Sequence, residues 1–227
     1  MEIHKPKPVH NWRELLTEIG VIVLGIVIAI SLEQMVEAWH WAGEVKIARE
    51  ALRAEIAPIS TFYESRLAIA PCMEKKLDAV SDLIRDAAVG GRSPANDIKF
   101  VGLGSVLSDS EWQSERSSQV LTHFPRSELA QMSNFYGQLP DVRQFIHDEA
   151  NAWAGLAVLS DSGQKLEAAD LSRLRVNYHL ARRYEYLITL IAARELGITK
   201  NLGIAYPSPG PELTTARCGV GAAIYKF

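Results

Sequence analysis

The sequence is poor in the residues that mark several common classes of protein. Only two cysteines occur among its 227 residues, which excludes a small fold held together by many disulfides. The 24 basic and 27 acidic residues leave a net charge of −3, so no general basic surface predicts a nucleic-acid partner. The hydrophobic share of 48% excludes a disordered chain. The length favours one domain, or one domain with an appendage.

One strongly apolar segment lies near the N-terminus. Residues 19–32, IGVIVLGIVIAISL, carry no charge. As a helix this segment extends only ~21 Å, which is short of the ~30 Å hydrocarbon core of a bilayer. However, apolar residues continue on both sides, and Trp12 and Trp39 are separated by ~40 Å of helix, which matches a full bilayer with its headgroups. We therefore predict a transmembrane helix over residues 15–38, with these two tryptophans and Trp41 as interface aromatics.

Two other interpretations of this segment stay open, a cleaved signal peptide and a buried core helix. Ala29 and Ser31 suit the positions that a signal peptidase inspects, but the helical pattern continues past them into Leu32. Basic residues precede the segment, and the next one after it is Lys46. The positive-inside rule then places the tail, residues 1–14, in the cytoplasm of a bacterium. It places the large C-terminal part in the periplasm, outside the inner membrane.

Apolar residues recur at three- and four-residue spacing through most of the remaining chain, and no convincing alternating strand pattern is present. Proline removes a backbone donor and crowds the preceding turn, so we expect helices to end at Pro58, Pro71 and Pro140. The longest amphipathic pattern predicts a helix over about residues 166–196. The predicted fold is therefore all-α: one N-terminal transmembrane helix that continues into an extracytoplasmic antiparallel helical bundle over residues 39–197.

The C-terminal tail, residues 198–227, differs from the rest of the chain. Prolines and a glycine interrupt it, so we expect an irregular segment that docks on the bundle. Its Cys218 and the distant Cys72 are the two cysteines of the sequence. In an oxidising compartment they could form a disulfide that closes a very long loop. Two separate buried thiols are the alternative.

The predicted span carries polar and small side chains that point to a partner. Ionisable groups are costly inside a membrane, and small residues let a second helix approach closely. Glu18, Gly25, Ala29 and Glu33 are therefore expected to contact the transmembrane helix of a partner. For Glu18, the alternative is a carboxylate that reaches water at the membrane rim.

Four arginines give the last predicted helix a basic character. They form a candidate anion site, and a solvated charged surface is the alternative interpretation: Arg173, Arg175, Arg182 and Arg183. No catalytic constellation, cofactor motif or metal-binding spacing accompanies them, since the sequence contains no His-x-x-x-His and no Cys-x-x-Cys pair.

Two stretches of the chain resemble a known type of bacterial protein. The first is LLTEIGVIVLGIVIAISLEQMVEAW, residues 15–39, and the second is the run 108–136, with Trp112, the Phe124-Pro125 step and Tyr136. They are similar to a family of uncharacterised bacterial single-span membrane proteins, described only as a domain of unknown function. The resemblance implies a membrane-anchored α-helical protein and attaches no activity to it.

The sequence therefore predicts a role in binding rather than catalysis. We expect a non-enzymatic accessory subunit that packs its span and bundle against a larger integral membrane protein or complex, or against a second copy. Membrane lipid is the other expected partner, and nucleic acid is not one. The alternative function is a periplasmic ligand-binding or sensing bundle. An enzyme of unfamiliar type would require a buried polar cluster that the linear sequence does not show.

Overall fold

The computed structural model describes residues 12–100, 102 and 104–210. Within them the chain forms four α-helices, which are α1 (Trp12–Gly90), α2 (Ser110–Ser117), α3 (Arg126–Leu156) and α4 (Ala168–Asn201). Short 3₁₀ turns occupy Val120–His123 and Ala157–Ser160. Apart from an isolated bridge between Arg92 and Lys165, these residues contain no β pairing. The predicted all-helical fold is confirmed.

Helix α1 joins two parts with different surroundings. It has 79 residues and therefore extends for ~118 Å. From Trp12 to His40 every side chain is exposed, and this part contains the apolar segment. From Val45 onward one face of the same helix is buried in the bundle. The predicted continuity from the apolar segment into the bundle is confirmed.

The three helix ends that we expected at prolines are wrong. Pro58 and Pro71 lie inside α1, and Pro140 lies inside α3. All three occupy exposed positions, where the proline ring does not displace core side chains. Buried residues on either side of Pro71, such as Ile69 and Met73, hold the helix together across it.

Helices α1, α3 and α4 form the bundle. Arg49 contacts Glu128 near the start of α3, and Arg66 contacts Glu149 further along both helices, so α1 and α3 run parallel. In contrast, α4 runs antiparallel to α1, because Thr199 faces Ser60 while Glu185 faces Arg66. The predicted antiparallel arrangement therefore holds for α4, which packs closely against both neighbours, and not for the α1–α3 pair.

A long return segment makes the parallel pair possible. Residues 91–125 lead from the end of α1 back to the level of Trp41. Along the way, Ser93 donates to the Leu159 carbonyl over 2.9 Å, and Trp112 stacks on Tyr136 with ring centroids 4.8 Å apart. At its end His123 stacks on Trp41 at 4.0 Å. Its buried apolar side chains complete the core between α1 and α3: Phe100, Leu107, Trp112, Val120 and Phe124.

The described part of the C-terminal tail lies along α1. Arg53 donates to the Leu202 carbonyl over 2.6 Å, and Thr61 donates to the Pro207 carbonyl over 2.9 Å. Leu202 and Ile204 are buried in the core. Residues 202–210 thus dock on the bundle, while the rest of the predicted tail, including Cys218, lies outside the described residues.

Candidate functional site

The centre of the bundle contains an ionic cluster formed by Arg66, Glu149 and Glu185, one residue from each of α1, α3 and α4. Arg66 and Glu149 are fully buried, and Glu185 is 7% exposed. The Arg66 guanidinium binds Glu149 in a bidentate manner, with N–O distances of 3.0 and 3.1 Å. The same guanidinium also donates to Oε2 of Glu185. Arg66 therefore holds two carboxylates that belong to different helices.

A buried lysine extends the ionic cluster toward α3. The Lys76 ammonium lies 4.4 Å from the centroid of the Trp153 ring, which is a cation–π geometry. Burial lowers the pKa of Lys76 to about 8, and the nearby charge of Glu149 opposes this shift. With Lys76 included, two cations face two carboxylates, so the group can be neutral as a whole when every member is ionised.

The carboxyl group of Glu185 has a strongly perturbed pKa. Burial raises its pKa to about 7, the charge of Arg66 opposes the shift, and the charge of Glu149 adds to it. Thr189, one turn later on α4, donates to Oε1 of Glu185 over 3.3 Å. A buried carboxylate fixed by two donors is the kind of group that binding sites use.

Sequence reasoning did not find this cluster, although a signal was present. Arg66 and Glu149 are 83 residues apart, and Arg66 and Glu185 are 119 apart, so no local motif unites them. Each charged residue, however, occupies a core position of its helix. Arg66 follows Phe62 and precedes Ile69, at the spacing of the buried apolar residues. A charge inside an apolar stripe was the available indication.

Glu185 also lines a cavity between α1 and α4, which we call the α1–α4 cavity. Its volume is about 510 Å³. Ala70 and Leu77 of α1 and Tyr186 of α4 supply apolar wall. Both signs of charge are present, because Glu74 and Glu185 line the cavity together with the basic side chains His179, Arg182 and Arg183. The volume is in the range of small-molecule sites, and most of the lining side chains are polar, with the apolar ones confined to Ala70, Leu77 and Tyr186.

The four arginines of the predicted anion site do not meet in one place. Arg182 and Arg183 line the α1–α4 cavity, whereas Arg175 lines a neighbouring cavity of about 400 Å³. Arg173 pairs with Asp170 over 2.6 Å at the start of α4. Arg182 already donates to the Tyr178 hydroxyl over 2.8 Å. An anion site, if formed, therefore involves the later two arginines and a partly acidic environment.

The residues predicted to contact a partner's span all lie on the exposed part of α1. Because a helix has 3.6 residues per turn, the spacings of seven, four and four place Glu18, Gly25, Ala29 and Glu33 on one face. No heavy atom lies within 4 Å of a side chain added at Gly25. Among the predicted interface aromatics, Trp12 and Trp39 are 67% and 82% exposed. Trp41 differs, since it packs on His123 of the return segment.

Comparison of the chain with protein-family models, with curated proteins and with solved structures found no match. The resemblance to the single-span family therefore stays a prediction. Among the described residues, no three His, Cys, Asp or Glu side chains converge on a position for a metal ion.

Proposed function

We propose that this chain is a single-pass protein of a bacterial inner membrane and an accessory subunit of a larger membrane protein. The observation that carries the proposal is the exposure of α1 from Trp12 to His40. None of the apolar 18-residue window in this helix is buried by the rest of the chain, so another medium or molecule has to cover it. A bilayer fits, because the helix is long and apolar enough to cross one. The proposed orientation, with the N-terminus in the cytoplasm and the bundle in the periplasm, rests on the positive-inside rule.

One face of α1 is free for a partner from the apolar part to Pro58, near the start of the bundle. In the bundle, Val45 and Leu52 point inward, while Ile47, Ala54 and Pro58 are exposed. By helical periodicity these exposed positions continue the face formed by Glu18, Gly25, Ala29 and Glu33. A partner helix on that face would not meet the chain's own bundle before Thr61, where the docked tail begins to cover the face. The uninterrupted helix would also hold the bundle at a fixed position beside the partner.

The first experiment measures the mass of the full-length protein after mild detergent extraction from its own membranes. We expect a complex with a second, larger membrane protein. Gly25→Leu should dissociate this complex, because a large side chain at a close helix contact separates the two backbones. Gly20→Leu is the matched control, since Gly20 lies in the same segment on the opposite face and is equally unobstructed.

Three results would contradict the proposal. A lone monomer or a homodimer of the unmodified protein would remove the accessory role. Equal loss of the complex in both variants would show that the proposed face is not the contact. Recovery of the protein without detergent would remove the membrane anchor as well.

We propose ligand binding by the periplasmic bundle as the second candidate function, on the observation that the buried Glu185 carboxylate lines the α1–α4 cavity. An enzyme of unfamiliar type would require a buried polar cluster, and the ionic cluster is such a group. Arg66 nevertheless engages both carboxylates, which supports a fixed hydrogen-bond acceptor rather than a free base or nucleophile. We therefore assign the cavity a binding role and no catalytic one.

A further inference from the structure

The charges around the α1–α4 cavity limit the chemistry of a ligand. A simple anion would meet the carboxylates of Glu74 and Glu185, and a simple amine would meet the guanidinium groups of Arg182 and Arg183. Only a molecule that carries charges of both signs finds an attractive partner at each end. Arg183 and Glu185 are two residues apart on α4 and leave the helix in different directions, but both line this cavity, so one small molecule can reach both side chains there.

Glu185 can accept a further hydrogen bond. Oε2 accepts from Arg66, Oε1 accepts from Thr189, and the side chain of Glu149 lies beside the same carboxyl group. Each carboxylate oxygen has two acceptor positions, so these two donors leave room for a third. Its two donors come from different helices and fix the carboxylate in place before a ligand arrives. A fixed acceptor of this kind reduces the entropy that ligand binding has to overcome.

Arg183 is the available cation of the cavity. Arg182 is engaged by the Tyr178 hydroxyl and lies 3.9 Å from Asp78. Arg183 is exposed at the cavity, and none of the ion pairs or hydrogen bonds between described residues involves it. A guanidinium binds a carboxylate with two parallel hydrogen bonds, so Arg183 can provide the anionic end of the ligand with a directional partner.

We infer that the α1–α4 cavity binds a small zwitterion of the amino-acid class, with its ammonium group on Glu185 and its carboxylate on Arg183. Ala70, Leu77 and Tyr186 then contact the apolar part of the ligand. This inference rests on the second candidate function and is independent of the membrane anchor and of any protein partner.

The test is calorimetric titration of the full-length protein in detergent at pH 8, where Glu185 is largely ionised. The probes are free glycine, leucine and glutamate, with acetate and methylamine as singly charged controls. We expect saturable binding of at least one amino acid and none of the controls at the same concentration. Glu185→Gln and Arg183→Ala should each weaken binding at least tenfold, since each removes a charged contact.

The control variant is Arg173→Ala, which removes an arginine of the same helix outside the cavity. It should bind as the unmodified protein does. Arg183 is exposed, so its variant should fold even if Glu185→Gln does not, and circular dichroism checks both.

Binding that neither cavity variant changes would overturn the inference. If acetate binds as tightly as an amino acid, the ligand is an anion and not a zwitterion. That result would overturn the inference but would still support ligand binding, the second candidate function. No binding of any probe would overturn the inference and remove the support for that function.

Discussion

At the scale of single residues, the buried carboxyl group of Glu195 makes the stability of the bundle depend on pH. It is fully buried on α4, and neither of its carboxylate oxygens accepts a hydrogen bond from the described residues. Burial raises its pKa to about 7, and the charge of Arg194, 3.8 Å away, opposes the shift only in part. An acid whose pKa is higher in the folded protein stabilises the fold at low pH. Its contribution is complete below pH ~4.5 and is lost as the pH rises through 7.

We predict that Glu195→Gln makes thermal stability less dependent on pH. At pH 8 the variant should be more stable by ~1–3 kcal/mol, because a neutral amide is less costly to bury than a carboxylate. At pH 4.5 the two proteins should unfold at nearly the same temperature. Glu185 remains in the variant with a pKa of about 7, so part of the pH dependence should persist.

The measurement is thermal unfolding of the full-length protein in detergent, followed by circular dichroism at both pH values. Glu50→Gln is the control, because Glu50 is exposed on α1 and its substitution should change neither value. A variant that is less stable than the unmodified protein at pH 8 would mean that the ionised Glu195 has a favourable contact.

At the scale of residues, the burial pattern of one helix can be predicted from the sequence, whereas the contacts between distant helices cannot. The amphipathic pattern of α4 could be predicted, and the helix buries one face that includes Leu174, Tyr178, Ala181 and Ile188. The Arg66 pairing could not be predicted, because it depends on which faces of three distant helices meet. Composition and local spacing carry no information on that choice.

At the scale of secondary-structure elements, the prolines show where packing overrides the local tendency of proline to end a helix. At Pro125 local preference and structure agree, because this proline directly precedes α3, where its missing backbone donor costs nothing. Local preference failed at Pro58, Pro71 and Pro140, because buried neighbours stabilise each helix across the proline. The parallel direction of α1 and α3 also could not be predicted from the sequence, since it depends on the path of the return segment.

We predict that Pro71→Ala stabilises the protein. Alanine restores the backbone donor for the Leu67 carbonyl and removes the clash of the proline ring with the preceding turn. Because proline costs ~3 kcal/mol relative to alanine in a helix interior, a gain of ~1–3 kcal/mol is expected. Thermal unfolding measures it, with Pro125→Ala as the control that should give no gain. A lower unfolding temperature for Pro71→Ala would show that the bundle needs a bend at this position.

At the scale of the whole molecule, α1 contacts α4, the return segment and the described part of the tail. Its exposed N-terminal part is the proposed anchor, and its core face supports α4 and the return segment. The docked tail, residues 202–210, lies along α1 and reaches the proposed partner face at Thr61. It contacts Arg53, then Thr61, and then Glu64, so the tail advances along α1 in the direction of Cys72.

This path supports the predicted disulfide between Cys72 and Cys218, whose second cysteine lies outside the described residues. Cys72 is eight residues beyond Glu64 on α1, which is ~12 Å, and a chain of ten residues from Ser208 can span that distance. We expect the full-length protein, isolated without reductant, to resist alkylation until it is reduced. Cys72→Ser and Cys218→Ser should each expose one thiol and lower stability by ~2–5 kcal/mol, because the long loop is no longer closed. Two thiols that react without reductant in the unfolded, unmodified protein would contradict the pairing and favour separate cysteines.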